Sequence, residues 1–213
     1  MAMDNYLDFR KETNYDKLKV PAEILKQGGI VIFPTETVYG IGANALDENA
    51  VKKIYEAKRR PNDKPISLLV SNMDMIEMVA KNITELEYKL MEAFFPGPFT
   101  IILKKKDVVP DIVTCGTDTV GIRMPDLELT RKLIDFAGTP LATPSANISG
   151  KPSGTNLETI MEDFKDSVDF YIDGGESKLG IASTIVKVID GVPHILREGS
   201  ITKEEIEKIK SQI

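Results

Sequence analysis

The sequence predicts an α/β protein built on an open mixed sheet with flanking helices. Short apolar runs typical of buried strands, such as residues 30–33 and 99–103, alternate with segments of helical periodicity. A hydrophobic fraction of 42 % together with 15 glycines is the composition of an ordinary globular domain. Asp190-Gly191 lies between two strand-like runs and predicts a hairpin, which adds antiparallel pairs to a sheet otherwise joined by crossovers.

Cap and turn residues bound the predicted elements. Pro21 begins a first helix that ends at Gly28-Gly29, and Asp47 is an N-cap for a helix reaching about Arg59. Two capping-box patterns, T-x-x-E at 84–87 and 202–205, each begin a further helix. The other predicted helices lie at 129–136 and 157–164, and the other strands at 66–70, 119–124, 141–143, 168–172, 184–189 and 194–197.

Composition excludes several classes of function. A net charge of −6 disfavours a protein that wraps nucleic acid with a broad basic surface. One cysteine, Cys115, and one histidine, His194, cannot supply a disulfide or a zinc site, and they make a histidine-activated nucleophile improbable. With a polar N-terminus and no apolar run of membrane-spanning length, we expect a soluble, cytoplasmic protein of one domain, residues 1–213.

Polar side chains follow the first predicted strand. Thr35, Glu36, Thr37 and Tyr39 lie just after it, where open α/β sheets place ligands. A simple polar turn explains this segment equally well. The adjoining G-x-G-x-x-A pattern at 40–45 matches a loose dinucleotide fingerprint, but the strand ends too early and no suitable acidic residue follows. We therefore do not expect a Rossmann site.

Two loops suit an anionic ligand. Residues 58–64 hold four cations between fixed proline positions, which favours phosphate binding, although such runs are usually solvated helix ends. Residues 139–155 are rich in hydroxyls and prolines, more than a plain connection needs. Arg123 and Arg197 end apolar strands, where each could bind a ligand or pair with an internal carboxylate. No Walker A pattern is present.

Taken together, these motifs resemble the YrdC/Sua5 family of threonylcarbamoyl-AMP synthases over nearly the whole chain. The resemblance rests on GIVIFPTETVYGIG at 29–42, the K-x-R pair Lys58 and Arg60, FPGP at 95–98 with Thr100, GIRMP at 121–125, the S-x-N pair Ser145 and Asn147, and STIV at 183–186. It implies an open twisted α/β sheet of the YrdC/RibB-like type with a concave cationic cavity. It also implies the short form of the family, without the additional C-terminal Sua5 domain.

The implied activity is that of a nucleotidyltransferase. L-threonine, bicarbonate and ATP would condense to L-threonylcarbamoyladenylate with release of pyrophosphate, for the N6-threonylcarbamoyladenosine modification of position 37 in tRNA. Such chemistry needs charge neutralisation and alignment rather than a protein nucleophile, so we expect no catalytic side chain of that kind. Mg²⁺ is expected on the phosphates, with no metal site made of protein ligands alone.

Site residues follow from the resemblance, position by position. The expected ATP-binding residues are Lys58, Arg60, Lys64, Thr119, Thr143, Asn147, Ser153 and Arg197. The expected threonine-binding residues are Thr37, Arg123, Ser145 and Ser183, with Arg123 on the carboxylate. The chain departs from many members by Arg59 inside the K-x-R pair and by Leu69 where some carry a histidine.

Two alternatives from other classes stay open at this point. The same cationic cavity would suit a module that binds double-stranded RNA or tRNA, although the net charge of −6 argues against high affinity. The other alternative is a carbamoyltransferase-like domain that uses a carbamoyl-adenylate. Weak RNA binding and contacts with other proteins of the tRNA-modification pathway are further expectations.

Overall fold

A computed structural model describes residues 5–212 and shows a mixed sheet of ten strands with helices packed against it. The strands are β1 (Tyr6–Asp8), β2 (Val31–Phe33), β3 (Gly40–Asn44), β4 (Leu68–Leu69), β5 (Phe99–Lys104), β6 (Thr119–Arg123), β7 (Leu141–Ala142), β8 (Phe170–Asp173), β9 (Thr184–Ile189) and β10 (Val192–Arg197). The helices are α1 (Lys19–Lys26), α2 (Glu48–Lys58), α3 (Met73–Val79), α4 (Glu85–Phe94), α5 (Asp111–Thr114), α6 (Glu128–Ala137), α7 (Leu157–Phe164) and α8 (Lys203–Lys210).

The strand order is β1-β8-β2-β3-β7-β4-β6-β5-β9-β10. Pairs β1/β8, β2/β8, β4/β6 and β5/β9 are parallel, whereas β2/β3, β3/β7, β4/β7, β5/β6 and β9/β10 are antiparallel. The predicted open mixed α/β sheet is confirmed. Its antiparallel part is larger than the predicted C-terminal hairpin alone, because antiparallel pairs also run through the centre of the sheet.

The residues that cap the helices explain most of the boundaries. The Asp47 side chain accepts from the backbone N–H groups of Asn49 and Ala50 and so begins α2, which ends at Arg59 in a left-handed conformation with φ of 51°. Both predicted capping boxes form, at the starts of α4 and α8. These local hydrogen bonds satisfy N–H groups that the first helical turn leaves without partners.

Four elements were not predicted. The sequence predicts no strand at residues 40–44, but they form β3, in which Gly40 and Gly42 pack closely against neighbouring side chains. A Cβ on Gly42 would lie 2.5 Å from the Phe33 ring, so only glycine fits that close approach. Helix α3, the one-turn helix α5 and the short β1 were also missed, because none of them shows a clear periodic pattern in so few residues.

The core lies between the sheet and the helices that cover it. Phe33, Tyr39, Leu68 and Phe99 are fully buried, and α1 packs against α6 while α4 packs against α8. Among residues 5–212, no helix is both long enough and apolar enough to cross a membrane. The half of the sheet from β3 to the edge strand β10 carries, on its strands and the adjoining loops, most of the polar residues described next.

Candidate active site

A cavity of about 330 Å³ lies over the central strands. Its polar lining consists of guanidinium and hydroxyl groups, contributed by Thr37, Arg60, Ser67, Thr100, Arg123, Thr143, Ser145, Ser153, Ser183 and Arg197. No acidic residue of the described chain lines it. A cavity with three arginines and no lining carboxylate is suited to bind anions.

Eight of the twelve predicted site residues line this cavity: Thr37, Arg60, Arg123, Thr143, Ser145, Ser153, Ser183 and Arg197. The other four, Lys58, Lys64, Thr119 and Asn147, lie outside the lining. Ser67 was not predicted, because a single serine inside an apolar strand gives no signal in one sequence. Leu69, one of the two positions at which the chain was expected to depart from its family, lies on the wall of the cavity.

Arg123 is buried and held from three directions. Its Nε donates to the carbonyl of Gly97 at 3.2 Å, and its Nη1 donates to Thr37 Oγ1 at 2.8 Å. Its Nη2 lies 2.6 Å from Glu36 Oε1, and the two side chains are each only 9 % exposed. These contacts give the guanidinium a single orientation at the cavity wall.

Arg197 lies on β10 and reaches back to β9. Its Nε and Nη2 donate to the carbonyl of Ser183 at 3.0 and 2.8 Å, and Nη2 also donates to Ser183 Oγ at 3.0 Å. That hydroxyl shares a 2.8 Å hydrogen bond with Thr100 Oγ1. Partial desolvation, with the nearby charge of Arg123, lowers the pKa of Arg197, so the two cations are near enough to interact.

Arg60 and Lys64 belong to the loop that follows α2. Arg60 is half-buried and donates from Nε to the carbonyl of Lys64 at 3.1 Å and from Nη2 to that of Pro65 at 2.9 Å. Lys64 is exposed, and no hydrogen bond or ion pair from its ammonium group to residues 5–212 orders it. The Arg60 side chain is therefore held by carbonyls of its own loop, and the loop is joined to the core where Tyr55 Oη donates to the carbonyl of Lys64 at 3.0 Å.

Lys58 is the most buried cation of the site region, with 1 % of its surface exposed. Its Nζ donates short hydrogen bonds to the carbonyls of Ser145 and Asn147. Burial, with the charge of Arg60, lowers the pKa of Lys58 to about 7. The ammonium thus fastens the hydroxyl-rich loop to the end of α2 rather than pointing into the cavity.

The Asn147 side chain is also used inside the loop. Its Oδ1 accepts from Ser145 Oγ at 2.5 Å, and its Nδ2 donates to the carbonyls of Ile148 and Lys151 at 3.1 and 2.8 Å. Thr119 begins β6 and is half-buried beyond the cavity wall. The structure thus brings Lys58 and Asn147 to the back of the site and leaves Lys64 and Thr119 outside its lining.

Residues 174–183, which we call the strap, cross the segment after β2. Leu179 N–H donates to the carbonyl of Glu36 at 2.9 Å, and Gly180 N–H donates to that of Thr37 at 2.9 Å. Ser177 Oγ donates to the carbonyl of Thr35 at 2.9 Å. The strap therefore fixes the backbone from which Thr37 reaches the cavity.

A larger depression of about 550 Å³ lies elsewhere, beside Asp8, Arg10, Lys11 and Glu12. Its Arg10 is already paired with Asp8 at 2.6 Å, and the surrounding charges are exposed. It offers no converging set of free polar groups, so its size alone does not make it the better candidate.

The chain matches a known family by sequence. Residues 23–199 fit the Sua5/YciO/YrdC family model, which carries the description "Telomere recombination". The chain is 45 % identical over 207 residues to the threonylcarbamoyl-AMP synthase of Pyrococcus abyssi, covering 97 % of this chain and 61 % of that protein. It is 44 % identical to the Bacillus subtilis enzyme of the same name, covering 92 % of this chain and 57 % of that one.

A third relative is similar in length to this chain. The putative threonylcarbamoyl-AMP synthase of Methanocaldococcus jannaschii is 42 % identical over 210 residues, covering 97 % of this chain and 99 % of that protein. The chain therefore spans about three fifths of the first two relatives and nearly all of the third.

Two solved structures are similar to this chain. Pyrococcus abyssi Sua5 complexed with L-threonine superimposes with a TM-score of 0.93 at 46 % identity, over 96 % of this chain and 60 % of that one. Escherichia coli YciO shares the fold, with a TM-score of 0.84 at 24 % identity over 97 % of this chain and 100 % of that one. The fold is an α/β domain with an arginine-lined cavity, and the chain belongs to the Sua5/YciO/YrdC family.

Proposed function

We propose that this protein is an L-threonylcarbamoyladenylate synthase, which condenses L-threonine, bicarbonate and ATP and releases pyrophosphate. Two relatives above 40 % identity carry the name threonylcarbamoyl-AMP synthase, and the Pyrococcus abyssi Sua5 structure holds L-threonine. The observation that carries the proposal is the cavity itself, with three arginines and seven hydroxyl side chains facing one space. Such a lining suits a carboxylate together with a polyphosphate.

We assign the two ends of the cavity to different groups. The Arg123 end, with Thr37 and Ser183, would bind the threonine carboxylate through a fixed guanidinium. Arg60 and Arg197, with Thr143, Ser145 and Ser153, would bind the nucleotide and its phosphates.

Of the four predicted residues outside the lining, two are proposed to position a loop and two keep their predicted place near the nucleotide. Lys58 and Asn147 would act by holding the 145–149 loop in place, because their polar atoms already bind that loop. Lys64 would reach the phosphates from its exposed loop once ATP is bound. For Thr119, no contact in the structure supports more than the predicted position near the nucleotide.

The chemistry asks for alignment and charge neutralisation. Threonine nitrogen would bond to the bicarbonate carbon with loss of water, and a carbamate oxygen would then attack the α-phosphorus of ATP. The bond from that phosphorus to the bridging oxygen breaks, and pyrophosphate leaves. Arginine side chains stabilise the charge that gathers on the phosphoryl oxygens, so no protein nucleophile is required.

Mg²⁺ is proposed as a companion of the ATP phosphates. Among residues 5–212, no group of three or more His, Cys, Asp or Glu side chains could hold a metal ion. The hydroxyl-rich and arginine-rich lining therefore fits a cation that is bound through the phosphates and water. The metal would neutralise the leaving pyrophosphate.

The product would serve N6-threonylcarbamoyladenosine formation in tRNA. We also propose a cytoplasmic location for the protein, which the use of ATP supports. We propose that the chain contacts tRNA weakly and that the product passes to other proteins of that modification pathway. The family resemblance supports both.

The test measures pyrophosphate release by the purified chain with ATP and Mg²⁺. We expect release only when threonine and bicarbonate are both supplied, and loss of release in Arg123→Ala. The matched control is Arg10→Ala, which removes an exposed arginine that does not line the cavity. Equal release without threonine would contradict the proposal.

A further inference from the structure

Glu36 is a buried carboxylate directly behind the cavity wall. Its Oε1 lies 2.6 Å from Arg123 Nη2, but the N–H bonds there are not aligned with the oxygen. Neither carboxylate oxygen accepts a hydrogen bond from any described residue, and neither has appreciable accessible surface. Glu36 does not itself line the cavity, so it meets a ligand only through Arg123.

Burying a carboxylate in this position costs free energy, so its presence there calls for an explanation. Buried charges that lack hydrogen-bond donors are rare, and pairing with a guanidinium offsets only part of the desolvation. The backbone of Glu36 is fixed by the strap, since its carbonyl accepts from Leu179 N–H at 2.9 Å. Glu36 therefore lies in a fixed segment, and its carboxylate adds a negative charge to the contacts that orient Arg123.

The charges around Arg123 indicate how the Glu36 carboxylate affects that arginine. Arg197 faces the same cavity, and the charge of Arg123 contributes to lowering the Arg197 pKa. Without Glu36, the two guanidinium groups would repel each other across the cavity, and Arg123 would keep only the Gly97 carbonyl and the Thr37 hydroxyl. Two neutral acceptors hold a cation less firmly than a carboxylate does.

We propose that Glu36 is a positioning residue for threonine binding. It acts by holding the Arg123 guanidinium in the orientation from which its N–H groups donate to the substrate carboxylate. The proposal rests on the proposed function, because it uses the assignment of Arg123 to threonine. It goes further by giving a role to an acidic residue that touches neither substrate.

A double-mutant cycle tests this dependence. Threonine and ATP affinities are measured by calorimetry for wild type, Glu36→Gln, Arg123→Lys and the double variant. We expect Glu36→Gln to weaken threonine binding about tenfold, because a displaced binding group loses alignment, with ATP binding changed less than about twofold. In the double variant, threonine should bind as weakly as in Arg123→Lys alone.

The control is Glu87→Gln, which alters another buried glutamate, in the capping box of α4 and away from the cavity. It should lower stability without changing the ratio of threonine to ATP affinity. If Glu36→Gln does not fold, Glu36→Asp carries the same cycle, because it keeps the charge but withdraws the oxygen from Arg123. A merely structural Glu36 would not show the split between threonine and ATP.

The outcomes separate the two ideas. Additive losses in the double variant, or tighter threonine binding in Glu36→Gln from the uncompensated positive charge, would overturn the positioning role. Unchanged threonine affinity in Arg123→Lys would instead overturn the assignment of Arg123 and with it the proposed function's division of the cavity.

Discussion

Arg123 and Arg60 face the same cavity but are held in different ways. Arg123 is buried, contacts Gly97 and Thr37, and lies against a carboxylate. Arg60 is half-buried and donates only to carbonyls of its own loop. The lining around Arg123, which we call the fixed end, is therefore held by buried contacts, whereas the lining around Arg60, which we call the adaptable end, is held through a loop. A small substrate gains from the fixed end, and a long polyphosphate tolerates the adaptable one.

The largest expected effect concerns stability. Arg123→Ala leaves Glu36 as an uncompensated buried charge, which costs about 3 to 5 kcal/mol of unfolding free energy. Arg60→Ala leaves no buried charge behind and should cost less than about 1 kcal/mol. Urea unfolding of both variants measures the difference. Similar losses in the two variants would remove the contrast between the two ends.

The double variant Glu36→Gln, Arg123→Ala serves as the control for that result. It removes the stranded charge, so it should be more stable than Arg123→Ala alone. A further loss of stability would show that Arg123 contributes through packing rather than through its charge.

A more conservative change at the fixed end should affect ligand selectivity. Arg123→Lys keeps a positive charge but cannot reproduce two parallel hydrogen bonds to a carboxylate. We expect threonine affinity to fall by about 1.5 to 3 kcal/mol, roughly 10- to 150-fold, while ATP affinity changes little. Calorimetry with each ligand measures this, and Arg131→Lys, an arginine of α6 outside the cavity lining, is the matched control. Loss of ATP binding alone would assign Arg123 to the nucleotide.

The adaptable end should show the opposite selectivity. Arg60→Ala should weaken ATP binding by about 1.5 kcal/mol, roughly tenfold, since one charge-assisted phosphate contact is lost. Lys64→Ala should have a smaller effect, because its exposed side chain must first be ordered. The melting temperatures should stay near that of wild type. A large drop in melting temperature with intact ATP affinity would make these residues structural.

The smallest expected effect concerns pH and Lys58. The pKa of Lys58 is about 7 in the fold, below its ordinary value of 10.5. Between those two values the unfolded chain binds more protons, so this residue makes stability rise with pH above about 7. From pH 6 to pH 8, wild type should gain about 1 kcal/mol relative to Lys58→Met. Urea unfolding at both pH values measures the gain, and a difference that does not change with pH would show that Lys58 keeps an ordinary pKa.

The sequence predicted the fold well where strong local signals exist. The caps at Asp47, Thr84 and Thr202 begin helices in the structure, and the Asp190-Gly191 turn joins β9 to β10. The sequence did not predict the strand at residues 40–44, because glycine is uncommon in strands. The glycines of this strand allow close packing against Phe33 and Thr143. Such packing depends on distant residues that one sequence does not bring together.

For the candidate site, the sequence indicated residues that come together but not how their side chains are arranged. Twelve residues were expected, and eight line one cavity. Burial of Lys58 behind the 145–149 loop could not be foreseen, since the same charged run is typical of a solvated helix end. Glu36 was seen as one polar residue among several, and only the fold shows its carboxylate against Arg123.

Mass spectrometry with labelled bicarbonate tests the central claim most directly. The chain is incubated with ATP, Mg²⁺, L-threonine and ¹³C-bicarbonate, and the nucleotide products are weighed. The account predicts a threonylcarbamoyl-adenylate that carries one ¹³C atom, and its absence when threonine is omitted or when Arg123 is replaced by alanine. ATP conversion to AMP and pyrophosphate, without any adenylate that contains both threonine and the labelled carbon, would contradict it.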